Sequence, residues 1–298
     1  MAFAEQLRRH QKFHNLFNSV VVKTYPITTL ITDFDGTITL EDTIANIAYA
    51  AADNFLVSDA SYHEFLQSWH RVVKKFSDEY IQLFERLLDQ PRPFRNNYDS
   101  LLKFLASFKE IELASVERVI LGKFLAGIKR EKLRNIGKDI KKQEGVETIL
   151  AQMRKTGIKI DIISANWSRE LIIGAMGDLC DYIVSNDLEF DKDGISTGQI
   201  DLHILSPFDK LKYYRHLKSE TGKNLYIGDS VSDLLAILAA DIGVLFGRGE
   251  SVMRVISHFN IPSKELSEED RFSGVRFDVN NTILIVDSWQ QLNAFLTS

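Results

Sequence analysis

The chain has 298 residues, 45% of them hydrophobic, with a formal net charge of −5 and a single cysteine, Cys180. That size and apolar content support one large domain or two ordinary ones around a packed core and exclude global disorder. The acidic balance argues against nucleic acid as the main partner, because neutralising phosphates needs a basic surface.

Residues 1–25 carry Arg8, Arg9, Lys12 and Lys23 against one acid, Glu5. The segment reads as a solvated first helix, with an organelle-targeting peptide as the alternative. No apolar run reaches membrane-spanning length, so no membrane partner is expected. Cys180 has no partner for an internal disulfide and reads as a small buried hydrophobe in a reducing compartment. A cytoplasmic location is the expectation, with a mitochondrial one as the alternative.

Leu30-Ile31-Thr32 reads as a buried strand leading into Asp33-Phe34-Asp35-Gly36-Thr37. From Leu40 to about Ile140 the pattern is almost entirely helical. Leu113, Val116, Val119, Ile120 and Phe124 recur at three-and-four spacing, and Pro91 and Pro93 break the region into blocks. After Gly145 the signal changes. Residues 146–155 read as a helix ended by Gly157, and residues 158–163 as a branched strand. Residues 169–176 read as a helix. Two strand-like runs follow at 182–185 and 194–200, with Asp193-Gly194 suited to a tight turn. Residues 207–218 form a helix with proline in its first turn. A strand at 225–227, an all-round apolar helix at 234–240 and strands at 242–246 and 283–286 complete the order. Such alternation predicts an α/β fold: a Rossmann-like three-layer α/β/α parallel sheet with an inserted helical domain. The expected division is 1–39 for the first helix and core strand, 40–143 for the helical cap, and 144–298 for the rest of the core. Functional groups should then lie outside the carboxyl ends of the strands.

Four polar clusters follow strands or open helices in this way. They are Asp33-x-Asp35-Gly-Thr37, Ser164 with Ala165-Asn166-Trp167, Lys210 in Ser206-Pro207-Phe208-Asp209-Lys210, and Gly228-Asp229-Ser230-Val231-Ser232-Asp233. Two carboxylates at strand spacing share a face and repel unless a cation or proton lies between them. Taken singly, Lys210 is an ordinary helix lysine, Ser164 a helix cap and Asp233 a first-turn acid. The joint pattern is far more specific.

These clusters resemble the four motifs of the haloacid-dehalogenase-like phosphatases, and the long helical insertion resembles that family's type 1 cap. The resemblance implies an enzyme, a phosphoric monoester hydrolase. Asp33 would attack phosphorus and form an aspartyl-phosphate. Asp35 would protonate the leaving oxygen and then deprotonate the attacking water, which requires a raised pKa; neighbouring carboxylates are the expected cause. Thr37, Ser164 and the backbone around Ala165 would hold the phosphate oxygens, with Lys210 supplying positive charge. Mg²⁺ is the implied cofactor, held by the Asp33 side chain, the Asp35 carbonyl and Asp229, with Asp233 ordering metal-bound water. Dehalogenating relatives lack a carboxylate at the position of Asp35, and ion-pumping ones carry threonine there. Asp35 therefore favours a phosphatase over a phosphomutase or phosphotransferase. A non-catalytic metabolite-binding relative is the third reading, against which the intact motifs count.

The partner implied is a small phosphate ester. Trp69 through Tyr80, Trp167, Ser196-Thr197-Gly198, Tyr226 through Leu235, and Ser288-Trp289 resemble the phosphatase domain of plant thiamine-monophosphate phosphatases and similar fungal stand-alone proteins. The plant proteins carry a second, all-helical hydrolase domain, which this chain is not expected to share. The resemblance makes thiamine monophosphate the candidate substrate. Cap candidates are Glu41, Trp69, Tyr80 and Trp167, each of which also suits plain structure: core packing for the aromatics, a helix N-terminus for Glu41. The seven histidines show no metal-ligand spacing, and no pattern specifies an oligomeric state.

Overall fold

In a computed structural model, residues 27–55, 59–90, 98–267, 270 and 282–297 are described. The basic N-terminal segment and Pro91 and Pro93 lie outside them.

Seven strands form one sheet: β1 (Ile27–Thr32), β3 (Lys159–Ser164), β4 (Tyr182–Ser185), β7 (Lys223–Gly228), β8 (Ile242–Phe246), β9 (Ser263–Glu265) and β10 (Ile283–Val286). Their order is β4-β3-β1-β7-β8-β10-β9, and every pairing is parallel. Buried on both faces, the central strands read as continuous apolar runs. Alternate residues feed two separate cores. Leu30, Ile160, Ile162, Leu225, Ile227 and Val244 pack on one side. Ile31, Ile163, Tyr226, Leu245 and Ile285 pack on the other. Helices Val146–Lys155, Arg169–Met176 and Trp289–Thr297 cover the first face, and Pro207–Leu217, Leu234–Ala239 and Glu250–His258 cover the second.

β1 is central, and the chain moves from it to β3 on one side and later to β7 on the other. The order therefore reverses beside β1, where ligand crevices form in such sheets.

The chain leaves the sheet unit just after β1 and returns at Lys141–Gln143. The two crossings pair there: Leu40 N donates to the Lys141 carbonyl and Gln143 N to the Ile38 carbonyl, at 3.0 and 2.8 Å. Between them lie helices Ile44–Ala52, Asp59–Leu88, Tyr98–Ala106, Lys109–Leu121 and Arg130–Asp139. The helical pattern has one interruption that the sequence did not announce. Ala126–Lys129 forms a strand, β2, antiparallel to β6 (Ile195–Asp201), which pairs in turn with β5 (Asp187–Phe190). β2 is only four residues long and its partner is distant in sequence, so no local periodicity marks it. The expected turn at Asp193-Gly194 closes the β5–β6 hairpin, with Gly194 at φ +72°.

A second tie binds the insertion to the core. Helices Arg130–Asp139 and Arg169–Met176 meet at Gly137 and Gly174, where an added Cβ would lie 2.1 Å from the Leu171 carbonyl oxygen and 2.0 Å from the Arg134 carbonyl oxygen respectively. Glu170, buried beside this contact, pairs with Arg130 and Arg134.

Candidate active site

Asp33 follows β1 directly, and its N–H donates to the Ile227 carbonyl of β7 at 2.9 Å. The side chain is buried. Its Oδ1 accepts from Phe34 N at 2.7 Å, and its Oδ2 accepts from Lys210 Nζ at 2.8 Å. Lys210 comes from the first turn of helix Pro207–Leu217, which begins at a capping box of Ser206 and Asp209. The same ammonium donates to Asp233 Oδ1 at 2.8 Å.

Asp233 is fully buried and saturated with donors. Tyr226 Oη reaches its Oδ1 at 2.9 Å, while Ser230 N and Oγ reach its Oδ2 at 3.2 and 2.8 Å. These bonds, with that from Lys210, fix the Asp233 carboxylate in place. Asp229 is freer: Thr37 Oγ1 donates to its Oδ1 at 3.1 Å. Gly36, at φ +73°, lies so close that a Cβ there would sit 2.5 Å from Asp229 Oδ2. Only glycine gives both that backbone turn and that clearance.

Carboxylate oxygens of Asp33, Asp229 and Asp233 all lie within 4.8 Å of one another. Three carboxylates face one ammonium, so two negative charges remain uncompensated when all are ionised. Burial, then the charge of Asp233, holds Asp33 well above the ordinary carboxylate range, with Lys210 opposing and Asp229 adding to the rise. Burial and Asp233 likewise push Asp229 up to about 6. Lys210 loses to burial but gains more from Asp233 and Asp33, so it stays charged above the ordinary lysine range. An oxygen-only donor set with surplus negative charge fits a divalent cation such as Mg²⁺. Asp33 and Asp229 are the carboxylates best placed to ligate it.

Asp35 points into a different network. Its Oδ1 accepts from Thr43 N at 2.8 Å and Thr43 Oγ1 at 2.6 Å, and its Oδ2 accepts from Asn166 Nδ2 at 2.9 Å. Its carboxyl is pushed up to about 6, by burial first and by Asp42 second, against those hydrogen bonds. Neighbouring carboxylates are the cause expected from the sequence, whereas desolvation leads and Asp42 comes second.

Thr43 and Asn166 are the residues that sequence reasoning missed in the core of the site. Asn166 is held by its own Oδ1, which accepts from Ser168 N at 2.9 Å. Its presence in the Ser164-Ala165-Asn166 run was the available signal. Ser164 ends β3, is buried, and its Oγ accepts from Asn166 N at 3.1 Å. The Ala165 carbonyl accepts from Asn186 Nδ2 at 2.9 Å, which fixes the loop. Thr37 is buried, with its carbonyl accepting from Trp289 Nε1 at 2.8 Å.

The cap candidates separate. Trp69 and Trp167 line one cavity of about 250 Å³ beside Ala165, although Trp69 is also packed edge-on to Phe124 in the core. Tyr80 packs at a tilt against Phe108, with ring centroids 4.6 Å apart, and borders a smaller gap shared with Ser206 and Ser232. Glu41 is exposed and lines another depression, with Asp139 and Lys141. Glu112, which the sequence reading passed over, lines both the Trp69 cavity and the Tyr80 gap. Cys180 is half-buried, and burial pushes its thiol up to about 11. No helix among the described residues is long and apolar enough to cross a membrane.

No protein-family model matches the chain. The bifunctional TH2 protein, mitochondrial, of Arabidopsis thaliana is 28% identical over 301 residues, covering 89% of this chain and 48% of the plant protein. The chain thus spans about half the length of that relative. Cold tolerance protein 1 of Saccharomyces cerevisiae is 28% identical over 247 residues, covering 71% of this chain and 75% of the yeast protein. Among solved structures, a HAD family hydrolase from Salmonella enterica subsp. enterica serovar Typhi superposes with a TM-score of 0.53 at 15% identity, covering 92% of this chain and 72% of that one. At that identity the likeness concerns the fold.

Proposed function

We propose that this member of the haloacid-dehalogenase-like superfamily is a divalent-metal-dependent phosphomonoesterase that acts on a small phosphorylated metabolite through Asp33. The observation that carries the reading is the pairing of a buried Asp33 with the Lys210 ammonium at 2.8 Å, while a separately held Asp35 is tuned to about 6. Lys210 opposes the burial and neighbouring charge that raise Asp33, a bound cation would oppose them further, and burial keeps the separately held Asp35 protonatable, which divides the work between a nucleophile and a general acid.

Asp33 attacks phosphorus and the ester oxygen leaves, taking the Asp35 proton. Asp35, now ionised, accepts a proton from the water that hydrolyses the aspartyl-phosphate. Thr43 and Asn166 keep both Asp35 oxygens oriented, leaving one lone-pair direction for the transferred proton. Thr37 and Ser164 donate to the phosphoryl oxygens. Lys210 offsets charge on Asp33. A bound Mg²⁺, held by Asp33 and Asp229 with the Asp35 carbonyl, would supply charge neutralisation of the phosphoryl group.

Thiamine monophosphate is the substrate we propose first, on the resemblance of the core segments and of Trp69 through Tyr80 to the plant phosphatases. A reducing compartment, cytoplasmic or mitochondrial, suits the one thiol. The test is a phosphate-release screen across metabolite esters with Mg²⁺ and with chelator. Thiamine monophosphate should give the highest kcat/KM, and chelator should abolish release. A generic ester ranking equal removes the substrate assignment, and full turnover in excess chelator removes the metal.

A further inference from the structure

Given phosphomonoester hydrolysis at Asp33, we propose that Glu112 is a specificity-determining residue, and that the cavity it lines selects leaving groups carrying a positive charge over neutral groups of the same shape. The cavity of about 250 Å³ opens between the insertion and the core. Trp69 and Phe76 of helix Asp59–Leu88 and Trp167 of the Ser164 loop bring aromatic rings to its wall. It borders Ala165, the neighbour of Ser164, and Asp42, the neighbour of the Thr43 that holds Asp35. A group esterified to a phosphate at Asp33 and protonated by Asp35 would therefore extend into it.

The charges on that wall are all of one sign. Asp42 and Glu112 are its only charged lining residues, with no lysine, arginine or histidine among the described ones. Glu112 comes from helix Lys109–Leu121, in the insertion, and is half-buried. No hydrogen bond or ion pair among the described residues engages its carboxyl, and burial alone pushes that group up to about 7. An unpaired carboxylate in an aromatic cavity is costly when empty and is relieved by a cationic guest. An anionic or zwitterionic leaving group finds no counter-charge for its carboxylate there. A neutral one finds apolar walls but leaves Glu112 unpaired.

The experiment compares two esters of one shape, phosphocholine and 3,3-dimethylbutyl phosphate, with p-nitrophenyl phosphate as the charge-independent control. All are measured as kcat/KM on the full chain with Mg²⁺, for wild type, Glu112→Gln and Glu112→Lys. Wild type should prefer phosphocholine about tenfold or more. Glu112→Gln should collapse that ratio to about twofold, and Glu112→Lys should invert it, with thermal melts like that of wild type showing that both variants fold. Where a variant fails to fold, equal wild-type kcat/KM for the two shaped esters still overturns the assignment. Equal kcat/KM for the two shaped esters, or a preference that survives Glu112→Gln, overturns the assignment while leaving the phosphomonoesterase reading intact. Turnover of none of the three esters overturns that reading and the assignment with it.

Discussion

The Lys210 ammonium lies 2.8 Å from Asp33 Oδ2 across a sequence separation of 177 residues, and both side chains are buried. It lies equally close to Asp233. Removing such an ammonium leaves two buried carboxylates uncompensated, which costs about 3–5 kcal/mol. Lys210→Met should therefore lower stability by that order and abolish turnover. Adding Asp233→Asn should restore part of the stability without restoring activity. Denaturant unfolding of the two single variants and the double variant measures the coupling. Additive losses would show that the ammonium and Asp233 do not act as a pair.

Acidic groups with raised pKa set a pH dependence for the metal-free chain. Asp229 binds its proton up to about 6 in the folded state, and near the ordinary carboxylate value when unfolded. Between those two values the folded chain holds more protons, so stability falls as pH rises through the window and stays low above it. Asp33, raised in the same direction, adds to the loss. Without metal, Tm should be higher at pH 5 than at pH 8. Mg²⁺ should raise Tm by about 5 °C at pH 8 and far less at pH 5, because a cation replaces the missing protons. A scanning melt in Mg²⁺ and in chelator reads this. Equal Mg²⁺ effects at both pH values would contradict it.

Asp35 is tuned as an acid with a pKa of about 6. Its proton is lost as pH rises through that value, so kcat/KM for alkyl phosphates should fall on the alkaline side. p-Nitrophenolate leaves without protonation, so its limb should be flat over the same range. Asn166→Ala removes the donor to Asp35 Oδ2. Losing that bond to the ionised form should move the alkyl-phosphate limb to higher pH and slow turnover about tenfold or more. Profiles that coincide for the two leaving groups would count against Asp35 as the proton donor.

Gly174 tests how the insertion is tied to the core. Its added Cβ would lie 2.0 Å from the Arg134 carbonyl oxygen, a backbone atom that cannot swing aside. Gly174→Ala should destabilise by about 1–3 kcal/mol in chemical unfolding. A neutral result would show that the two helices separate at little cost.

Six of the seven strands of the parallel sheet were legible as apolar runs, and Asp33, Ser164 and Asp229 because each stands at the carboxyl end of one; β9 (Ser263–Glu265), three exposed polar residues, was not. Thr32-Asp33, Ile163-Ser164 and Gly228-Asp229 all show that step. Lys210 was legible only through the proline and Asp209 that start its helix. What escaped depended on partners far along the chain. β2 exists because β6 lies beside it, and Ala126-Gly127-Ile128-Lys129 has no pattern of its own. Glu112 stands in a helical register beside Leu113 and looks like a solvated acid, while its environment is supplied by Trp69 and by the Ser164 loop across the cavity. Glu41, next in sequence to Asp42, does not line that cavity and borders the separate depression with Asp139 and Lys141.

The central claim is that Asp33 carries the phosphoryl group between two half-reactions. Rapid acid quench during turnover of a phosphorus-32-labelled ester, followed by peptide mapping, measures it most directly. The account predicts a hydroxylamine-sensitive label on the peptide bearing Asp33, absent in Asp33→Asn. Steady turnover with no label on protein, or label on any other residue, would contradict it.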